Sequence, residues 1–205
     1  MPILQTVRKE TRSQHNLMEN LIGSDRLEHF SVKDYELLLG THFIFHSHLE
    51  EEIRVFLAEK SNQEVYQELF KKLSFEEHIK SVSLENELKQ ILPPAKFDAL
   101  KAIPNTVRIT DYCMLLGRMY VAEGSMLGGK IMYKIFSQNA QLNSVTKFDF
   151  FKNYEIKTPR LWNSFKKIVE EECESKEAQK LFLEGVELSY FYFEKSFHKC
   201  KNILQ

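Results

Sequence analysis

Backbone punctuation is scarce in this chain. Of its 205 residues only 7 are glycine and 5 proline, too few for a collagen-like or low-complexity chain. The 3 cysteines, Cys113, Cys173 and Cys200, are odd in number and far apart. That argues against a disulfide framework and against the close pairing of a zinc site; free buried thiols of a reducing cytosol are expected instead. Neither sign of charge prevails. A net charge of −1 supplies no general field for nucleic acid or an anionic membrane. No run approaches the ~20 apolar residues of a membrane span, and the charged, amphipathic stretch Met1 to Arg12 does not read as a secretion signal. The expectation is a soluble, cytoplasmic protein with no nucleic-acid or membrane partner.

What remains is helix-forming. Leu, Glu, Lys and Phe recur at helical spacing, and 205 residues suit a single domain with a substantial core. The fold class is therefore all-α, one compact multi-helix bundle over 1–205. A first helix is expected from Pro2 to Ile22, ended by Gly23. Ser31 and Asp34 form a capping box for a second, running to about Lys60. Shorter helices are expected over Gln63–Lys72, from Ser74 to the Pro93–Pro94 stop, and over Ala95–Ala102 before Pro104. Asp111 caps one long helix to about Phe136. Thr146 starts a short helix to Tyr154, Thr158–Pro159 starts another, and a last helix spans Ser175–Lys201.

Four of the seven glycines, Gly117, Gly124, Gly128 and Gly129, fall inside the Asp111–Phe136 helix. Each costs roughly 1 kcal/mol relative to alanine, so the cluster gives up about 3–4 kcal/mol of propensity. Something must favour it. Gly124 and Gly128 share a face, which is bare backbone. Such a face can pack closely against another helix, can bend, or can approach a large flat ligand.

The first helix carries a second pattern. At about 100° per residue, Arg8, Arg12, His15 and Glu19 fall within an arc of roughly 60°. Glu19, one turn beyond His15, can accept from one ring nitrogen and leave the other free for a metal. The arginines are placed to hold carboxylates. In an isolated helix the same stripe also reads as solvated charge.

Other residues attract weaker readings. His42 and His46 have the spacing of a helical metal pair, but the repeated inward Glu pattern of a di-iron bundle is not convincing. With His48 they read as ordinary surface and core histidines, and Glu50–Glu52 as solvated surface charge. His78 and His198 carry no case. Tyr190–Phe193 reads as core, and Trp162 with Phe165 as core near a pocket.

Together these residues resemble the heme oxygenase family. Thr11-Arg-Ser-Gln-His15-Asn-Leu-Met-Glu19-Asn20 looks like its proximal helix, and Glu123-Gly-Ser125-Met-Leu-Gly128-Gly129 its distal helix in the bacterial form. Leu49–Ile53, Leu84–Leu88 and Tyr154 through Trp162 to Phe165 are similar to further segments, in order along the chain. The resemblance implies that His15 is the proximal ligand to heme iron, supported by Glu19. It implies that Gly124, Gly128 and Gly129 let the distal helix lie over the porphyrin. Arg8 and Tyr120 would contact the propionates, joined by Arg12 and a basic residue from Arg160–Lys167. Ser125 stands where another branch has aspartate, so water there is arranged differently. The implied activity is O2-dependent cleavage of heme b, substrate and cofactor together, to biliverdin, carbon monoxide and ferrous iron. A monomer is implied, with electrons from an external donor such as a ferredoxin or reductase. The alternative is a heme carrier or sensor on the same fold.

Overall fold

The computed structural model describes residues 3–103, 108–145 and 147–205, and side chains throughout these except at 153–158. Ten α-helices lie among the described residues, joined by short 3-10 turns and loops: α1 Ile3–Glu10, α2 Arg12–Ile22, α3 Val32–Lys60, α4 Glu64–Leu73, α5 Ser81–Ile91, α6 Pro94–Lys101, α7 Tyr112–Ser125, α8 Gly129–Gln138, α9 Asp149–Glu172 and α10 Lys176–Leu204. None of them is long and apolar enough to cross a membrane.

Local chemistry accounts for the ends. Ser31 accepts from the Asp34 amide while Asp34 accepts from the Ser31 amide at 2.9 Å, completing the expected capping box. Asp111 accepts from the Cys113 amide at 2.7 Å at the start of α7, and Ser175 from the Ala178 amide at 3.1 Å at the start of α10. Gly23 closes α2 in the left-handed conformation, φ 70°.

Five of the expected helices differ. The first is two, α1 and α2, meeting at Thr11, whose hydroxyl donates to the Val7 carbonyl at 2.8 Å. The backbone ladder continues past it, with the His15 amide on the Thr11 carbonyl at 3.0 Å, so the junction bends the helix and keeps its faces aligned. The expected Asp111–Phe136 helix tightens into a 3-10 turn at Met126–Gly128 between α7 and α8, where glycines offer least resistance. In the other direction, the two helices expected after Thr146 form one, α9, with Pro159 inside it. Pro2, Pro104 and Thr146, and the side chains of Tyr154 and Thr158, lie outside the described residues. The stretch from Ser74 also divides, into a 3-10 turn Phe75–His78 and α5.

The core forms two clusters. One gathers Val7, Leu49, Ile53, Leu115, Leu116, Phe165 and Phe182; the other Tyr35, Leu39, Leu84, Leu88, Phe136 and Phe150. Helix α3 runs through both and is buried on most sides over its first half. Helices α7 and α10 cross nearly backbone to backbone. A methyl group on Gly117 would lie 2.0 Å from the Phe182 carbonyl oxygen, and one on Gly185 2.3 Å from that of Met114. Gly117 is thus a packing glycine.

Two of the residues expected as surface charge lie inside. Glu50 is 2% and Glu52 3% exposed, because they flank the exposed face of α3 and turn toward the neighbouring helices. Glu50 accepts from the Lys80 and Ser81 amides at 2.7 and 2.9 Å. Glu52 takes the Arg118 guanidinium at 2.7 Å, which also donates to Ser189 at 3.1 Å, tying α3, α7 and α10. Glu51 does remain exposed, at 61%.

Candidate functional site

A cavity of about 820 Å³ opens at the seam of the two core clusters, near the upper end of the ~300–1,000 Å³ usual for small-molecule pockets. One wall is the α1–α2 stripe: Arg8, Arg12, His15 and Glu19 all line it, with Met18 and Ile22 beneath. The facing wall is the end of α7 and the turn after it, Tyr120, Val121, Gly124, Ser125, Leu127 and Gly128. The bend at Thr11 leaves the stripe on one face, so all four of its members reach the same space.

Gly124 and Gly128 behave unlike Gly117. A methyl group on Gly128 would meet nothing within 4 Å, and one on Gly124 only the Trp162 ring at 3.9 Å. Their missing side chains therefore leave free volume above the cavity, as an approaching ligand requires. Gly129, expected in this face, instead is buried at the start of α8 and outside the lining.

His15 is 58% exposed at its side chain, with Nδ1 3.6 Å from the Glu19 carboxylate. That is longer than a formed hydrogen bond and within ion-pair reach. A single turn of helix separates the two, so a small rotation closes the contact. The Ser125 hydroxyl donates to the Ala122 carbonyl at 2.9 Å, which leaves it lone pairs with which to accept from a cavity group. Burial raises the Tyr120 hydroxyl above its ordinary pKa, tempered by a hydrogen bond from Arg8. Arg8 and Tyr120 thus form one polar edge of a mainly apolar slot, where Leu127 and Ile131 remain 46% and 64% exposed.

Of the Arg160–Lys167 basic residues, none lines the cavity. Arg160 pairs with Glu77 at 2.8 Å and Lys167 with Glu171 at 3.7 Å. Lys166 lies over the Trp162 ring, its Nζ 6.0 Å from the centroid.

The inner end holds groups that sequence reading missed. His42 reaches the cavity wall while 4% exposed, stacked on His46 with centroids 5.7 Å apart and 11° between planes. Burial pushes its pKa down to about 4, so the ring is neutral. His42 Nδ1 and His46 Nε2 have no hydrogen-bond partner among the described residues. Tyr190 and Phe193, read as core, also line the cavity. Burial raises the Tyr190 hydroxyl to about 12, tempered by the polar Thr11 hydroxyl beside it. No group of three or more His, Cys, Asp or Glu side chains among the described residues could hold a metal ion by itself, so a di-iron site has no ligand set here.

Beneath the Gly124 segment lies a buried ionic cluster. Glu123 bonds the Lys80 ammonium and sits 3.1 Å from His78 Nδ1. Burial opposes its ionisation, but Lys80 and His78 prevail and hold its pKa at about 2. The cluster pins the backbone just before Gly124 to the start of α5. Its signal in the sequence was a carboxylate between Ala122 and Gly124 in an otherwise apolar helix.

These features have counterparts among known proteins. The family model described as heme oxygenase matches residues 1–199. The heme oxygenase-1 of the cyanobacterium Synechocystis sp. PCC6803, solved in complex with heme, superposes with a TM-score of 0.68 at 18% identity, covering 100% of this chain and 94% of that one. The heme oxygenase of Leptospira interrogans gives 0.65 at 16% identity, covering 96% and 98%. No curated protein sequence matches.

Proposed function

The chain belongs to the heme oxygenase family, and from that premise we propose that it cleaves heme oxidatively, using O2 and electrons from an external donor, to biliverdin, carbon monoxide and ferrous iron. The observation that carries this reading is that His15 from α2 and the bare backbone of Gly124 and Gly128 from the α7–α8 turn line one cavity.

The residues fit a large, flat, mainly apolar ligand with an acidic edge. Trp162, Val121, Met18 and Phe193 supply apolar contact, and the Leu127 and Ile131 rim gains cover when such a ligand enters. Arg8, Arg12 and Tyr120 take its carboxylates, the arginines by charge-assisted hydrogen bonds. His15 would offer one imidazole nitrogen to the iron, and Glu19, 3.6 Å from Nδ1, would close on the other and fix the tautomer. When bound, heme supplies the oxygen and redox chemistry itself.

The protein then contributes position and exclusion. The absent side chains at Gly124 and Gly128 let the α7–α8 backbone approach the ring face and leave a confined space beside it. The Ser125 hydroxyl, donating to the Ala122 carbonyl, keeps lone pairs that would accept from a cavity group and could order water as a proton source. The Glu123–Lys80–His78 cluster holds this wall in place from behind. Glu19, Arg12 and Arg8 remain at the solvent side, where a redox partner approaches.

Addition of hemin, then reductant in air, tests the reading. Loss of the Soret band with growth of bile-pigment absorption is expected. A Soret band that persists through repeated reduction would assign the protein to heme carriage instead.

A further inference from the structure

Away from the cavity, two buried thiols that the proposed chemistry does not use lie close together. Cys113 is the second residue of α7, and Cys173 caps the end of α9. The Cys113 sulfur lies 3.5 Å from the carbonyl oxygen of Glu172, the residue before Cys173. The Cys113 thiol donates to that carbonyl, so the two cysteines occupy neighbouring points of the fold. Both are free, and 60 residues of sequence separate them.

We propose that Cys113 and Cys173 are a redox pair that closes into an intramolecular disulfide when the protein meets a peroxide. Three observations divide the roles. Cys113 sits in the first turn of α7, where the positive end of the helix dipole favours a thiolate. The neighbouring Cys173 thiol lowers the Cys113 pKa, against burial and the nearby Asp111 and Glu172 carboxylates. Finally, Cys113 is 8% exposed and Cys173 1%, so a small oxidant reaches Cys113 first. Cys200, by contrast, is 0% exposed, and burial pushes its thiol up to about 12.

The chemistry balances with hydrogen peroxide as oxidant. The Cys113 thiolate takes OH from the peroxide, breaking its O–O bond, and the released hydroxide leaves as water with the thiol proton. The resulting sulfenic acid is attacked by the Cys173 sulfur; the S–S bond forms and a second water departs. Two electrons pass from the two sulfurs to one peroxide. The bridge joins the opening of α7 to the close of α9, two helices whose other parts carry Tyr120, Gly124 and Trp162 of the cavity. It braces that pair of walls, and this holds whatever ligand the cavity takes.

Peptide mass spectrometry of the full chain, free of heme and treated with hydrogen peroxide, tests the proposal. Trypsin should release the Ile109–Arg118 and Ile168–Lys176 peptides joined, two hydrogens lighter, and separable by dithiothreitol, with Cys200 still a thiol. The oxidised chain should migrate as a single chain without reductant and unfold at a higher temperature. In Cys173→Ser, dimedone should label Cys113; in Cys113→Ser, Cys173 should stay unmodified. A link between chains, first oxidation at Cys200, or sulfinic acid at Cys113 without a link would overturn the proposal.

Discussion

At the scale of single residues, the glycines separate packing from function. Gly117 and Gly128 lie in one continuous stretch and cost the same propensity, yet a methyl group meets a carbonyl oxygen at 2.0 Å on one and open space on the other. Gly117→Ala is expected to lower stability by about 2–4 kcal/mol, as overpacking against fixed backbone does. Gly128→Ala should shift it by about 1 kcal/mol at most, toward greater stability. Gly128→Leu should fold normally and yet lose heme turnover, because its side chain fills the space the ligand needs. Thermal unfolding beside hemin titration distinguishes these cases; equal losses of stability at both positions would remove the argument. His15 and its stripe were legible because helical periodicity is local. His42 was not. Its place at the cavity end depends on Phe150, Phe151 and Phe193, which arrive from α9 and α10.

At the scale of elements, three buried groups make stability depend on pH in opposing directions. Glu87 on α5 accepts from the Tyr35 hydroxyl at 2.5 Å and the Phe150 amide at 2.8 Å, and joins α3, α5 and α9. Burial raises its pKa from 4.5 to about 7 despite those hydrogen bonds. Its contribution is therefore complete below about 4.5 and is lost as pH rises through about 7. His42 acts oppositely: lowered from 6.5 to about 4 by burial, it stabilises above 6.5 and loses that contribution as pH falls toward 4. Glu123, held down from 4.5 to about 2 by Lys80 and His78 against its burial, loses its contribution only below 4.5. The wild-type slopes between pH 4.5 and 7 partly cancel, so variants carry the test. Denaturant unfolding should show Glu87→Gln losing more stability than wild type on acidification across that range, and His42→Phe losing less. Lys80→Met should cost about 3–5 kcal/mol at neutral pH by stranding the Glu123 charge. Identical pH profiles in the first two variants would refute these assignments. Element boundaries in the sequence failed at Thr11, at Met126–Gly128 and around Pro159, where tertiary packing decides whether a helix bends, tightens or runs through.

At the scale of the whole molecule, a bundle of the heme oxygenase fold places its cavity where two core clusters fail to merge. The α1–α2 and α7–α8 bends face each other across that seam. The general architecture and both motif-bearing walls could be read from spacing and family resemblance, since each motif is contiguous in the chain. The buried carboxylates Glu50 and Glu52 and the His78–Glu123 pair could not, because their partners come from distant helices and their burial exists only after folding. The central claim is that heme lies between His15 and the glycine face. The ferric absorption spectrum of the hemin complex tests this most directly, recorded for wild type and His15→Ala with and without added imidazole. The account predicts that His15→Ala loses the wild-type ligand signature and that free imidazole restores it. An unchanged spectrum in His15→Ala would contradict it.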